Sequence, residues 1–285
     1  MAVQALFGSL PVIAKPILTV IPAISLVGFR VGITAGILVL VQAYRRRLWL
    51  AERRDYLRLF LLSFLGVTFN QLLFIGGLSF TKASNTSLLA ATIPVVTILA
   101  GALLGTEKLR GTKIGGIAIS IAGIVILVDP RHASFSSETT IGDLMIVLNS
   151  VSYGVYVALS KPVFTRNGAF RSMMWVFVFA AIFCVPLGGI SYVSAADSPV
   201  TAATWAAIIH VAIAGTALPY LLNAWALARV DPSTVAIFIY LQPLIGFVLA
   251  AVFLGEALTA AFFLAAIFIF TGLFLATKRQ LPRET

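Results

Sequence analysis

A chain of 285 residues that is 60% hydrophobic and only 11% charged, with a mean hydropathy of +1.04, cannot cover a water-soluble surface, since soluble domains carry about 25% charged residues. Its net charge of +10 does not make it a nucleic-acid binder, because the cations sit in gaps between apolar runs and not on one face among stacking aromatics. The single cysteine, Cys184, lies inside an apolar run, which leaves no disulfide framework and no cysteine metal cluster.

Apolar runs between charged and turn-forming breaks predict ten spans, at 2–19, 23–44, 57–79, 84–105, 113–128, 142–161, 172–193, 203–228, 232–254 and 257–277. Each approaches the ~20 residues that cross a ~30 Å hydrocarbon core. The fold class expected is therefore an all-α integral membrane protein. The first run has no basic region before it, its first cation being Lys15, so it reads as a retained span and not a cleaved signal.

The second span carries Arg30; a charge inside a span marks a functional site by default, with snorkelling to the outer interface as the other reading. Asn70 and Gln71 lie in the third span, Thr92 and Pro94 in the fourth. In the sixth, Asn149, Ser152, Tyr153, Tyr156 and Ser160 recur at three- and four-residue steps and share one helical face. The eighth holds His210, Tyr220 and Asn223, and the ninth Gln242 beside Pro243. Polar side chains are costly in lipid and turn to the bundle interior or a wet cavity, so this set is expected to line a substrate site. For each residue alone, an interhelical packing bond is the competing reading.

Loop charges orient the chain. Sixteen of its twenty lysines and arginines fall in the loops after spans two, four, six and eight and in the C-terminal tail; Lys15, Lys82 and Arg131 fall on the other side. The positive-inside rule then places both termini in the cytoplasm.

The sequence also repeats. An offset of 149 joins Gly66 to Gly215, Ser84 to Ser233, Pro94 to Pro243, Glu107 to Glu256 and Gly123 to Gly272, and an offset of 146 joins "FGSLPVIAKP" at 7–16 to "YGVYVALSKP" at 153–162. This divides the chain into a first five-span repeat at 1–128, a non-cytoplasmic connecting loop at 129–141, and a second repeat with a cytoplasmic tail at 142–285. An odd number of spans inverts the second copy, the architecture that lets a transporter open alternately to either side. Pro94 and Pro243, at equivalent mid-span positions, each remove a backbone hydrogen bond and are read as gating or kink residues.

The "KP" closing the first span of each half, the "GFR" of the second span, and the proline followed by "LGTE" or "LGE" closing the fourth and ninth together resemble the EamA branch of the drug/metabolite transporter superfamily. Within it the chain is similar to bacterial amino-acid exporters of the YddG type. The resemblance covers essentially the whole chain and implies a central cavity lined by the first, third, fourth, sixth, eighth and ninth spans.

Amides, hydroxyls and aromatic rings suit a zwitterion with an apolar side chain better than a phosphorylated metabolite, which calls for several cations. All ten acidic residues lie at or near predicted span ends, so no midplane carboxylate relay is visible. The function expected is gradient-driven export of neutral or aromatic amino acids and related metabolites by alternating access, without metal or cofactor. A metabolite:proton antiporter, with His210 as the titratable candidate, and a passive channel are the alternatives. The chain has no converging nucleophile or acid pair for an enzyme and no Walker loop for an ATP-driven pump. Its partners are a small-molecule substrate and the lipid bilayer, with no nucleic acid, as a monomer or homodimer.

Overall fold

The computed structural model describes residues 2–7, 17–81, 89–106, 110–128, 140–195, 200–254 and 260–277. The regular elements among these residues are all helical, with no strand among them. In chain order, a short helix at 2–7 precedes α1 (Ala23–Tyr44), α2 (Arg53–Ser63), a π turn (Phe64–Thr68), α3 (Phe69–Phe80), α4 (Ile93–Leu103), α5 (Gly111–Val128), α6 (Thr140–Asn167) and α7 (Ala169–Ser194). There follow α8 (Ala202–Ala212), a second π turn (Ile213–Ala217), α9 (Leu218–Leu227), α10 (Pro232–Ile237), a 3₁₀ turn (Phe238–Tyr240), α11 (Leu241–Leu254) and α12 (Ala260–Thr277).

Among the described residues, five apolar helical runs are long enough to cross a membrane, at Ala23–Tyr44, Arg53–Gly77, Thr140–Asn167, Ala169–Ser194 and Ala202–Leu227; Ile93–Leu103, Gly111–Leu127, Pro232–Ile245 and Ala260–Ala276 are shorter apolar helices. Of the first predicted span, residues 8–16 lie outside the described residues, as do Glu107 and Glu256. The stop expected after Lys161 does not occur. Helix α6 continues through Pro162 to Asn167, and only Gly168, with φ 79°, separates it from α7. A positive φ is open to glycine without the Cβ clash other residues suffer, which allows so short a corner.

Two helix ends show how the sequence stops a helix. After α4, Gly105 at φ 65° turns the chain so that the Thr106 amide donates to Gly101 O at 2.8 Å, and Gly105 N donates to Ala102 O. This is a Schellman closure, and it accounts for the glycine of "LGTE". At the end of α1 the same pair of bonds forms from Arg47 to Gln42 O and from Arg46 to Ala43 O, with Arg46 in the left-handed region at φ 53°.

The helix ends gather on two faces. On one, Arg171 donates to Trp49 O, Asn167 to Asp55, and Arg166 to Glu52, while Lys113 and Lys161 both reach Asp231 at 3.2 Å. On the other, Thr81 donates to Asp143, and Phe29 packs edge-on to Tyr192 and Trp205.

Glycines let pairs of helices approach closely. Helices α1 and α7 touch at Gly28 and Gly188, where a Cβ on Gly28 would lie 2.7 Å from Cys184 O and 2.8 Å from Gly188 Cα. Helices α5 and α12 meet at Gly116 and Gly272, where a Cβ on Gly116 would be 2.5 Å from Gly272 O, and again where Gly123 faces Ala265. Without a hydrophobic driving force between helices in lipid, such backbone approach is a main source of association. We expect Gly28→Ala to lower the thermal midpoint of the detergent-purified protein by an overpacking cost of roughly 1–3 kcal/mol. Gly36→Ala, on the same helix with nothing within 4 Å, should leave it unchanged or raise it by about 0.4–1 kcal/mol; equal effects would show that the contact is unimportant.

Candidate functional site

A π turn leaves backbone carbonyls without their regular helical partners, and these must be satisfied inside the protein. At the first π turn the partners come from the polar face of α6. Ser152 donates to Leu65 O at 2.9 Å and Asn149 to Asn70 O at 2.7 Å. The Tyr156 ring lies on Gly66, where a Cβ would approach it to 2.4 Å. That face of α6 therefore docks onto the α2–π–α3 run.

Tyr220, from α9, closes the junction. Its hydroxyl accepts from Gln71 Nε2 at 3.1 Å, and its one proton is offered to Gly66 O and Asn70 Oδ1, each at 3.2 Å. One turn further along α9, Asn223 donates to the Tyr153 hydroxyl at 3.1 Å. Phe7 and Phe177 meet the Tyr220 ring edge-on, with centroids 5.4 and 5.2 Å away. Of the residues expected to line a substrate site, Asn70, Gln71, Asn149, Ser152, Tyr153, Tyr156, Tyr220 and Asn223 therefore come together, and all but Asn70 are buried. Their polar groups bond to one another, to backbone carbonyls or, for the Tyr156 hydroxyl, to Met173 Sδ, so a ligand here would exchange bonds with a formed network and would not enter an unsatisfied one.

Other expected residues lie apart. Gln242 donates to Gln4 Oε1 at 2.7 Å, on the 2–7 helix whose Phe7 packs on Tyr220. Thr92 is exposed and its hydroxyl donates to Leu89 O. His210 is exposed in the last turn of α8 and is not hydrogen-bonded into the Tyr220 network. Pro94 and Pro243 do not bend unbroken helices: Pro94 is the second residue of α4 after a turn at 91–92, and Pro243 the third of α11 after the 3₁₀ turn. A ring without an N–H is tolerated where a helix begins afresh, because first-turn amides have no helical acceptor. At these interruptions Tyr240 donates to Ala91 O at 3.1 Å.

Arg30 does not reach an interface. It is 1% exposed, and its Nε donates to Thr216 Oγ1 in the second π turn at 2.9 Å. Thr34 on the same helix donates to Ala212 O at 3.1 Å, and Thr216 to Val211 O at 3.1 Å, so the second π turn is satisfied from α1 and from itself. Sequence reading missed Gln4, Thr34 and Thr216. Thr216 stands four residues before Tyr220, which was the available signal.

The model of the EamA-like transporter family matches residues 1–129 and 140–278. The chain belongs to the EamA-like transporter family. It is a multi-pass membrane protein, and the buried junction is thus part of an EamA-like transporter. Over 240 residues it is 28% identical to an uncharacterized transporter of Archaeoglobus fulgidus, covering 83% of this chain and 81% of the relative. It is 26% identical to a probable terminal-alkyne amino-acid exporter of Streptantibioticus cattleyicolor, over 77% of this chain and 72% of the relative. A solved crystal structure shares the fold, with a TM-score of 0.77 at 20% identity, covering 96% of this chain and 94% of that one.

On the EamA-like chain's charged face, Arg54 and then Arg166 hydrogen-bond the Glu52 carboxyl and hold it below its ordinary range. Burial alone would raise the Asp231 carboxyl, but hydrogen bonds from Lys113 and Lys161 outweigh it and hold the group below its ordinary 3.8. A depressed folded-state value contributes stability above the unfolded value that is lost as pH falls through the folded one. Thermal midpoints should therefore fall as pH drops below about 4, and Asp231→Asn should show a smaller fall than wild type; identical profiles would remove Asp231 from the link. At the junction, Tyr220→Phe and Gln71→Leu should each destabilise, and their effects should be less than additive by roughly 0.6–2 kcal/mol in a double-mutant cycle of unfolding. Strict additivity would show that the bond carries no coupling.

Proposed function

We propose that this transporter exports neutral or aromatic amino acids and related small metabolites by alternating access, as a gradient-driven facilitator built of two inverted five-helix repeats. The observation that carries the reading is that repeat-equivalent residues meet: Gln71 bonds Tyr220 and Ala91 bonds Tyr240, each pair 149 residues apart, the offset of the sequence repeat. A residue touches its own counterpart only where a two-fold axis passes between them.

Reciprocal contacts support the same axis. Gly116 meets Gly272 and Gly123 meets Ala265, and adding 149 to the first member of each pair gives the second member of the other. The two π turns are also 149 apart, and so are α5 and α12 at both ends. Equivalent copies that meet at a polar junction are the elements alternating access requires. The Lys113–Asp231–Lys161 link then closes one face, read as cytoplasmic from its share of the positive loops, with both termini on that side of a bacterial inner membrane.

Substrate class rests on the chemistry of the junction and on the named exporter among the relatives. Three tyrosine hydroxyls, four amides and flanking aromatic edges offer donors and acceptors to a zwitterion and a surface to an apolar side chain. Among the described residues the acidic side chains, Glu52, Asp55, Asp143 and Asp231, stand at helix ends, which favours facilitation over a carboxylate proton relay.

Proteoliposomes preloaded with phenylalanine, tryptophan, threonine or methionine test this. We expect saturable efflux that external substrate accelerates, with no imposed pH gradient. Flux that vanishes without such a gradient would make the protein an antiporter, and flux indifferent to external substrate would make it a channel.

A further inference from the structure

Arg30 is the one described cation fully enclosed by the helices, and it is incompletely satisfied. Its side chain is 1% exposed, Nε donates to Thr216 Oγ1 at 2.9 Å, and both Nη1 and Nη2 are buried without a hydrogen-bond partner. A guanidinium has five N–H donors, so one is used and four are not. Burying a charge in this state is costly, and an anion with good geometry offsets the cost. The described carboxylates do not supply it: Glu52, Asp55 and Asp231 are engaged by Arg54, Arg58, Arg166, Lys113 and Lys161, and Asp143 by Thr81.

We infer that Arg30 is the carboxylate receptor of the transport site. This rests on the amino-acid reading above and adds the group that reads the substrate's acid end. The bond from Nε to Thr216 fixes the guanidinium plane and leaves the outer pair, Nη1 and Nη2, to grip both oxygens of one carboxylate side by side. A phosphate, carrying about two negative charges, would call for a second cation, and among the described residues Arg30 is the one fully buried cation.

The surroundings fit an amino acid beyond its acid group. Thr216 and Tyr220 are four residues apart on one helical run, so the guanidinium's anchor and the Tyr220 ring are about one turn, ~5.4 Å, apart along it. A carboxylate on Arg30 places the rest of the molecule beside Tyr220, with Phe177 and Phe7 at its edges. The repeat assigns no second cation: the position equivalent to Arg30 at an offset of 146 is Val176. The positive charge therefore belongs to one half, and the substrate keeps one end-to-end orientation through the cycle.

In detergent-purified full-length protein, phenylacetate should raise the thermal midpoint, whereas phenethylamine, which lacks the carboxylate, and chloride should not. Arg30→Gln should raise the half-maximal phenylacetate concentration about tenfold or more, with Arg30→Lys intermediate because it keeps the charge but loses the fork. Thr216→Val, which frees Nε and leaves the guanidinium, should weaken phenylacetate less than Arg30→Gln does and keeps the test open if the Arg30 variants do not fold. In proteoliposomes wild type should discriminate phenylalanine from phenylalaninamide, and Arg30→Gln should not.

Phenylacetate that stabilises wild type and Arg30→Gln at the same concentration, chloride that replaces it equally, or a Thr216→Val protein indistinguishable from wild type would overturn the inference. If wild type exchanges phenylalanine and Arg30→Gln does so with unchanged half-saturation, the inference falls and the amino-acid reading stands. If phenylacetate binds through Arg30 while no amino acid moves, the amino-acid reading falls and the carboxylate receptor stands.

Discussion

Every backbone amide and carbonyl at bilayer depth needs a partner within the protein, and the described residues interrupt their helices at four places. The π turns at Phe64–Thr68 and Ile213–Ala217, the turn before α4 and the 3₁₀ turn before α11 all break the regular ladder. Three of these breaks are answered by side chains from other helices: the first π turn by Ser152 at Leu65 O and Tyr220 at Gly66 O, the second by Thr34 at Ala212 O, and the turn before α4 by Tyr240 at Ala91 O. The polar residues that look like a substrate site are thus also what permits the irregular backbone, because lipid offers no alternative partner.

That double duty makes the junction suited to change. The bonds around Tyr220 are mostly side chain to carbonyl or side chain to side chain, and each is worth little in the membrane, about 0.6 kcal/mol on average, since released groups find other partners. A polar ligand could take over such bonds without unfolding a helix. The glycine contacts of α1 with α7 and of α5 with α12 are different: they rest on main chain against main chain and hold those pairs as units. Arg30 lies between these two regimes, on a tightly packed helix but facing the second π turn.

The charged face adds an electrostatic clasp. Asp231 lies just before α10 and is shared by Lys113 from the start of α5 and Lys161 from α6. Its side chain is 53% exposed, so water and salt weaken each bond. Such a link can hold one face closed and still be broken by modest competing interactions, whereas a buried ion pair could not be opened cheaply.

The sequence by itself determined what composition and period can carry. Low charge and long apolar runs determined a membrane chain, three- and four-residue spacing determined the polar face of α6, and the 149-residue offset determined which positions are equivalent. It could not determine the depth of Arg30, since a long side chain can snorkel or stay buried, and only packing by α7 and α8 around α1 decided for burial. Nor could it separate Thr92 and His210, which face outward, from Tyr220 and Asn223, which face inward, because hydropathy records polarity but not the azimuth at which neighbouring helices close around it. The π turns were likewise invisible in the residues that form them, for an extra residue in a helical turn is stabilised by partners distant in the chain. Those partners meet only in the tertiary structure.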